Sequence, residues 1–290
     1  MLSNKYLIIN ADDFGMSNEF NMAISELLKN GNISSTSIMP NGIAYKEALE
    51  LINKYSLHNI GLHLTLTRDS FTSTSPILYS SITHGKTIEN IDGYLYNNPL
   101  HLKSIADENE LIKEIIAQFN RVISDNINIT HIDNHMYSLI PRMGYKGYKT
   151  IFSALKEIDI KSKIGIRIAS NYYVSDQFNY IWSGRKLYPY IWYKMKSLNL
   201  KGPNYSFAFP YYAQTCKSIK EKQTVLHHFL SNLKPGTTEL HFHPCIYSEN
   251  LKSYNPYWEN RIHEYEILQS ISAKMLYSKY GIILTSYSQI

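Results

Sequence analysis

The sequence has little of what marks a secreted, membrane-bound or nucleic-acid-binding chain. It carries 2 cysteines in 290 residues, Cys216 and Cys245, far apart and outside any CxxC pair. A disulfide framework is therefore not expected, and reduced thiols suit a cytoplasmic protein. No run of about 18 apolar residues occurs, so neither a spanning helix nor a membrane partner is expected. The opening MLSNKYLIIN has neither the apolar core nor the small-residue cleavage site of a signal peptide. Basic residues outnumber acidic ones by only 5 (29 against 24) and form no dense run, which argues against nucleic acid as a partner. What is present is a chain with 44% apolar residues, enough to bury a sizeable core, and a large share of tyrosine.

Short β-type runs alternate with helical runs. YLIINA reads as a first strand, and apolar Phe20, Ile24, Leu27 and Leu28 read as a helix over about 18–30 that Gly31 stops. ISSTSIM, NIGLHLTL, INITHID, KIGIRIA, YSFAF, TTELHFH and GIILTSY read as further strands. ENELIKEIIAQFNRVI, YKTIFSALKEI, KEKQTVLHHFLSNL and RIHEYEILQSISAKMLYSKY read as helices. About seven or eight β/α units without linker or repeat predict one domain over 1–290. The expected architecture is a distorted (β/α) barrel of parallel strands, with an open doubly wound sheet as the alternative. A polar stretch at about 67–106 lacks periodicity and reads as a functional loop or insertion. The aromatic-rich segment at about 172–200 reads as an amphipathic helix on the barrel, a homodimer or sugar contact, or a membrane-interface anchor.

Four strand ends carry groups a plain strand would not hold: Asp12 and Asp13 in NADDFG, His63 in GLHL, His131, Asp133 and His135 in HIDNH, and Glu239, His241 and His243 in ELHFHP. In a parallel barrel all strand C-termini meet at one face, so residues far apart in sequence converge. Alternation puts 131, 133 and 135 on one side of their strand and 239, 241 and 243 on one side of theirs. One carboxylate with two imidazoles makes a facial site for a single divalent metal ion. The other aspartate then stays ionised beside it and accepts a proton from water, while a further histidine donates to an oxyanion or leaving group. Which aspartate takes which role is open at this stage. Taken singly, the same residues have plainer readings: a hydrogen-bonded structural histidine, an Asx turn, or a helix cap, with Ser17 as the rival cap. His101, His227 and His228 read as surface or helix residues.

In order and spacing, NADDFG, GLHL, THIDNH and ELHFHP resemble the YdjC-like carbohydrate deacetylases. The resemblance covers most of the chain. It implies a distorted (β/α) barrel, a divalent metal ion (zinc by ligand softness, or magnesium) and hydrolysis of an N-acetyl group of an acetylated amino sugar. Carried over, Asp12 is the base, Asp13, His63 and His135 hold the metal, and His243 is the acid or oxyanion partner. Arg167 falls near the site. His131, Asp133 and Tyr137 are read with it as substrate-side residues, and Arg261 and Glu264 as a structural pair at the site edge. Met136, Tyr137 and Cys245 depart from the family pattern where substrate shape would be sensed. The rival functions are another metal hydrolase, such as a phosphoesterase with two metals and more carboxylates, and an inactive glycan-binding protein.

Overall fold

A computed structural model describes residues 4–69, 77–159, 164–169, 187–209 and 218–290. Its centre is β1 (Lys5–Phe14), buried from Leu7 to Phe14. A strand apolar on both faces belongs in the middle of a parallel sheet covered by helices, and β1 lies there. The strands β2 (Ser35–Ile38), β3 (Ile60–Leu64), β4 (Ile129–Asn134) and β5 (Gly165–Ile166) follow on one side of it. On the other side lie β7 (Gly236–Phe242) and then β6 (Tyr205–Ala208). The short β8 (Ile282–Leu284) pairs with Lys5–Leu7 at the start of β1. Among the described residues the pairings of these eight strands are all parallel. The ends of this curled sheet approach through Lys201, whose backbone NH donates to Ile164 (3.4 Å) and whose carbonyl accepts from Ile166 NH (2.8 Å). The result is the expected distorted α/β barrel.

Helices cover the outside: α1 (Asn18–Lys29), α2 (Tyr45–Tyr55), α3 (Pro99–Ile105), α4 (Glu108–Ser124), α5 (Tyr145–Ile158), α6 (Tyr188–Ser197), α7 (Ile219–Ser231), α8 (Glu249–Tyr254), α9 (Trp258–Gln269) and α10 (Ala273–Tyr280). The helix α1 buries Phe20, Ala23, Ile24 and Leu27, an i, i+3, i+4, i+7 stripe worth about 1.5–3 kcal/mol for each large side chain. The helix α4 starts where Asp107 accepts from the Asn109 and Glu110 amides.

Three expectations need correction. The final long helix is two helices: the first ends at Gln269 with Ser270 as its C-cap, and Ser272 caps α10 by accepting from Met275 NH. The strand expected over KIGIRIA is only two residues long, since the backbone leaves the ladder at Arg167. Ser17 stands at the N-cap of α1, but its hydroxyl donates to the Glu19 carboxylate instead of capping the backbone. Among the described residues of the 67–106 stretch, α3 is the helical part. Of the aromatic segment, α6 is helical with Trp192 and Tyr193 exposed, and its earlier part lies outside the described residues.

Candidate active site

The strand C-termini bring the polar groups together. A regular strand would send Asp12 and Asp13 to opposite faces. Here the β1/β2 register shifts between Ala11 and Phe14, and Asp13 takes a left-handed backbone (φ 71°). That irregularity turns both carboxylates into one site. Gly15 (φ 99°) completes the turn, with its NH donating to Asn21 Oδ1 at 2.7 Å.

Asp13, His63 and His135 form one cluster whose ligand atoms lie within 4.8 Å of one another. Asp13 Oδ1 is 3.2 Å from His63 Nε2 and 3.1 Å from His135 Nδ1. The two rings therefore present different nitrogens. The other nitrogen of each is held by a carboxylate: His63 Nδ1 by Asp133 Oδ1 at 2.6 Å, and His135 Nε2 by Asp69 Oδ2 at 3.0 Å. Burial opposes charge on both rings, yet the facing carboxylates win. Asp133 and Asp13 push His63 up to about 10, and Asp69 and Asp13 push His135 up to about 9. Asp13 is lowered well below the usual carboxylate range: burial opposes this, and the two facing imidazoles overcome it. The donor set suits a divalent cation on two grounds. One carboxylate and two imidazoles converge, and the buried His63 Nε2 makes no hydrogen bond of acceptable geometry.

Asp12 lies beside this cluster in a different setting. Arg167 donates to both of its oxygens (2.6 and 2.7 Å), and also reaches Asp133 (2.7 Å) and Glu239 (2.8 Å). Asn10 Nδ2 adds a bond to Asp12 Oδ1 at 2.8 Å. Burial works against the Asp12 charge, but Arg167 holds the carboxyl far below its ordinary value. Asp12, His63 and Asp133 also meet the geometry of a cation cluster, but the Arg167 guanidinium already supplies the positive charge there.

His243 Nε2 stands 3.9 Å from Asp12 Oδ2. Burial first, then the nearby Arg261, push His243 down to about 3, so the ring is neutral. Its backbone NH donates to Glu264 Oε2 at 2.5 Å, and Arg261 lies 3.9 Å from the other Glu264 oxygen. The edge pair thus supports the segment that carries His243. Tyr137 hydroxyl is 2.8 Å from His241 Nε2, placing Tyr137 at the rim of the site. His135 opens a short 3-10 turn in which Met136 and Tyr137 both adopt left-handed backbone (φ 53° and 52°).

His131 lies elsewhere. It is fully buried and stacks on Tyr287 with ring centroids 4.1 Å apart. A Cβ on Gly61 would sit 2.4 Å from that ring, which accounts for the glycine of GLHL. His131 is therefore out of reach of a substrate, and burial pushes it down to about 4, so it is a neutral packing residue. Asp133 and Arg167 are buried too, and their contacts are with His63 and Asp12.

Several residues went unread in the sequence. Asp69, at the end of TLTRD, backs His135, and Tyr79 donates to the same Asp69 oxygen at 3.0 Å. Ser37 donates to Asp133 Oδ2 at 2.8 Å, and Ser206 donates to Glu239 at 2.9 Å. Asn10 and Ser37 carried a signal, since polar residues inside apolar strands need a partner. Asp69 carried none.

The model of the YdjC-like protein family matches residues 6–279. A carbohydrate deacetylase of Thermoanaerobacter pseudethanolicus is 28% identical over 98% of both chains, and one of Listeria monocytogenes is 29% identical over 91% of both. Among solved structures, an Enterococcus faecalis V583 protein named for cellobiose-phosphate cleavage superposes with a TM-score of 0.74 at 24% identity, covering 99% of each chain. That likeness is one of fold. With the family match running from the first strand to the last long helices, this chain belongs to the YdjC-like family.

Proposed function

We propose that the protein is a metal-dependent carbohydrate deacetylase that hydrolyses the N-acetyl group of an acetylated amino sugar or oligosaccharide, releasing acetate. One observation carries the reading: a two-histidine, one-carboxylate cluster lies beside a second, separately held aspartate that a neutral histidine approaches to 3.9 Å. The names of the relatives agree with it. A divalent cation held by Asp13, His63 and His135 would polarise the acetyl carbonyl and make a bound water acidic near neutral pH. Asp12, kept ionised and aimed by Arg167, takes the proton of the attacking water. His243 turns its neutral imidazole toward the developing oxyanion, and a proton handed on from Asp12 reaches the departing amine through it. Tyr137 contacts the sugar at the rim, while Arg167 and Asp133 act through Asp12 and His63, and His131 only packs.

Two imidazoles favour zinc, whereas magnesium prefers an oxygen-rich shell. Metal analysis of protein purified without chelators identifies the ion. The phosphoesterase reading calls for two cations, and Arg167 fills the second acidic cluster, which favours one. Among the described residues no helix is long and apolar enough to cross a membrane. The test is acetate release across acetylated mono- and oligosaccharides, read by mass spectrometry as loss of one acetyl unit. Asp12→Asn and His135→Ala are each expected to abolish it. Unchanged release in both variants overturns the proposal, and sugar binding without release under any metal supports the glycan-binding alternative.

A further inference from the structure

The loop between β3 and α3 reaches His135 from the side opposite Asp13. Asp69 Oδ2 lies 3.0 Å from His135 Nε2, and Tyr79 hydroxyl donates to that oxygen while lying 3.5 Å from the same ring nitrogen. Asp69 and Tyr79 are both buried. Next to Asp69, Arg68 NH donates to the Tyr96 carbonyl at 3.0 Å, and from Tyr79 onward the backbone is tied down largely by side chains. Glu114 of α4 accepts from Ile82 NH and Thr83 NH, both at 2.9 Å, and Glu110 accepts from Thr87 NH at 2.7 Å. Tyr79 carbonyl accepts from Leu95 NH at 3.1 Å, and Asn41 reaches the next carbonyl, that of Ser80, at 3.1 Å.

Such anchoring makes Asp69 and Tyr79 a fixed abutment. An imidazole can ligate through either nitrogen, and a hydrogen bond on one selects the other. His63 is set by Asp133 to offer Nε2, whereas His135 is set by Asp69 to offer Nδ1. We propose that Asp69 and Tyr79 are positioning residues for His135, so that the cation affinity of the Asp13–His63–His135 cluster is set in part by two side chains outside the ligand set. The inference rests on the reading of that cluster as a metal site.

The experiment measures the zinc affinity of the full chain by competition with a chromophoric chelator, for wild type and for Asp69→Ala, Asp69→Asn and Tyr79→Phe. Asp69→Ala is expected to weaken zinc binding about 10- to 100-fold, the usual effect of removing such a partner. Asp69→Asn should recover part of the loss, because the amide oxygen still accepts the Nε2–H. Tyr79→Phe should cost a few-fold, about the effect of one hydrogen bond. Nitrogen-15 spectra of the zinc-loaded protein should show His135 ligating through Nδ1 in wild type and through a mixture in Asp69→Ala. A purely structural loop residue would lower the melting temperature alike with and without zinc and leave the affinity alone. Variants that bind zinc within twofold of wild type, with Nδ1 ligation unchanged, overturn the inference. Should Asp69→Ala fail to fold, Tyr79→Phe keeps the ring in its slot and decides. A wild type that binds no divalent ion refutes the metal reading itself, an outcome distinct from wild-type binding that the variants do not weaken.

Discussion

The two imidazoles that face Asp13 are held by different kinds of structure. His63 sits within β3, directly across the ladder from Asp133 of β4, its register partner. Arg167 neutralises that aspartate, and Ser37 on the neighbouring strand bonds it. His135 stands on a turn beyond β4 and is backed by a loop tethered through glutamate side chains. The ladder fixes the first ring through many shared backbone bonds. The second depends on a few side-chain contacts, each of which one substitution removes. Precision on the sheet is collective, while precision on the loop is assembled piece by piece.

Breaking the strand-borne half should have the largest effect. Arg167→Met leaves Asp12, Asp133 and Glu239 buried without their cation, and a loss of about 3–5 kcal/mol is expected in urea unfolding. A loss under about 1 kcal/mol would mean that the clamp does not hold this half together.

Next comes Glu264, which braces His243 just past the end of β7. Burial, opposed by Arg261, raises it from 4.5 to about 7. The folded protein thus keeps a proton that the unfolded chain releases. The stabilisation is full below about pH 4.5 and is lost as pH rises through about 7, a span of about 3 kcal/mol. Glu264→Gln should remove that slope when stability is followed across pH 4.5–7 beside wild type. Equal slopes in the two proteins would refute it.

The loop-borne half should yield more locally. Glu114→Ala is expected to cost about 1–3 kcal/mol, since it strands the Ile82 and Thr83 amides. Hydrogen exchange should quicken at those two amides and stay slow in β3. If β3 quickens equally, the two halves are one cooperative unit. The smallest change belongs to Tyr137→Phe, which removes the 2.8 Å contact with His241. Stability should fall by about 1 kcal/mol or less, and KM should rise more than kcat falls. An unchanged KM would place Tyr137 outside the substrate contact.

The same contrast explains what the sequence made legible. NADDFG, GLHL, HIDNH and ELHFHP stood out because charged and imidazole groups at the ends of apolar strands have few structural uses, and barrel geometry gathers strand ends. The alternation rule did not foresee the register break that turns Asp12 and Asp13 the same way. Nor did it distinguish His131, which shares the pattern of its neighbours but packs against Tyr287 and Gly61. The tethered loop was unreadable for a plain reason. Its order comes from glutamates bonding backbone amides, which leaves no periodicity, and Asp69 looks like any polar loop residue. The single helix expected near the C-terminus is two because the Ser272 cap sits within a continuous apolar rhythm that hides it.

The turn that begins at His135 has a consequence for how this protein can change. Left-handed backbone at both Met136 and Tyr137 costs about 1 kcal/mol or more at each non-glycine residue. Glycine at either position would relax the chain and firm up the fold, but it would also let the His135 ring drift from Asp13. Selection for heat resistance and selection for turnover therefore pull in opposite directions at these two positions, and a thermostable descendant that kept its activity would have to gain its stability elsewhere.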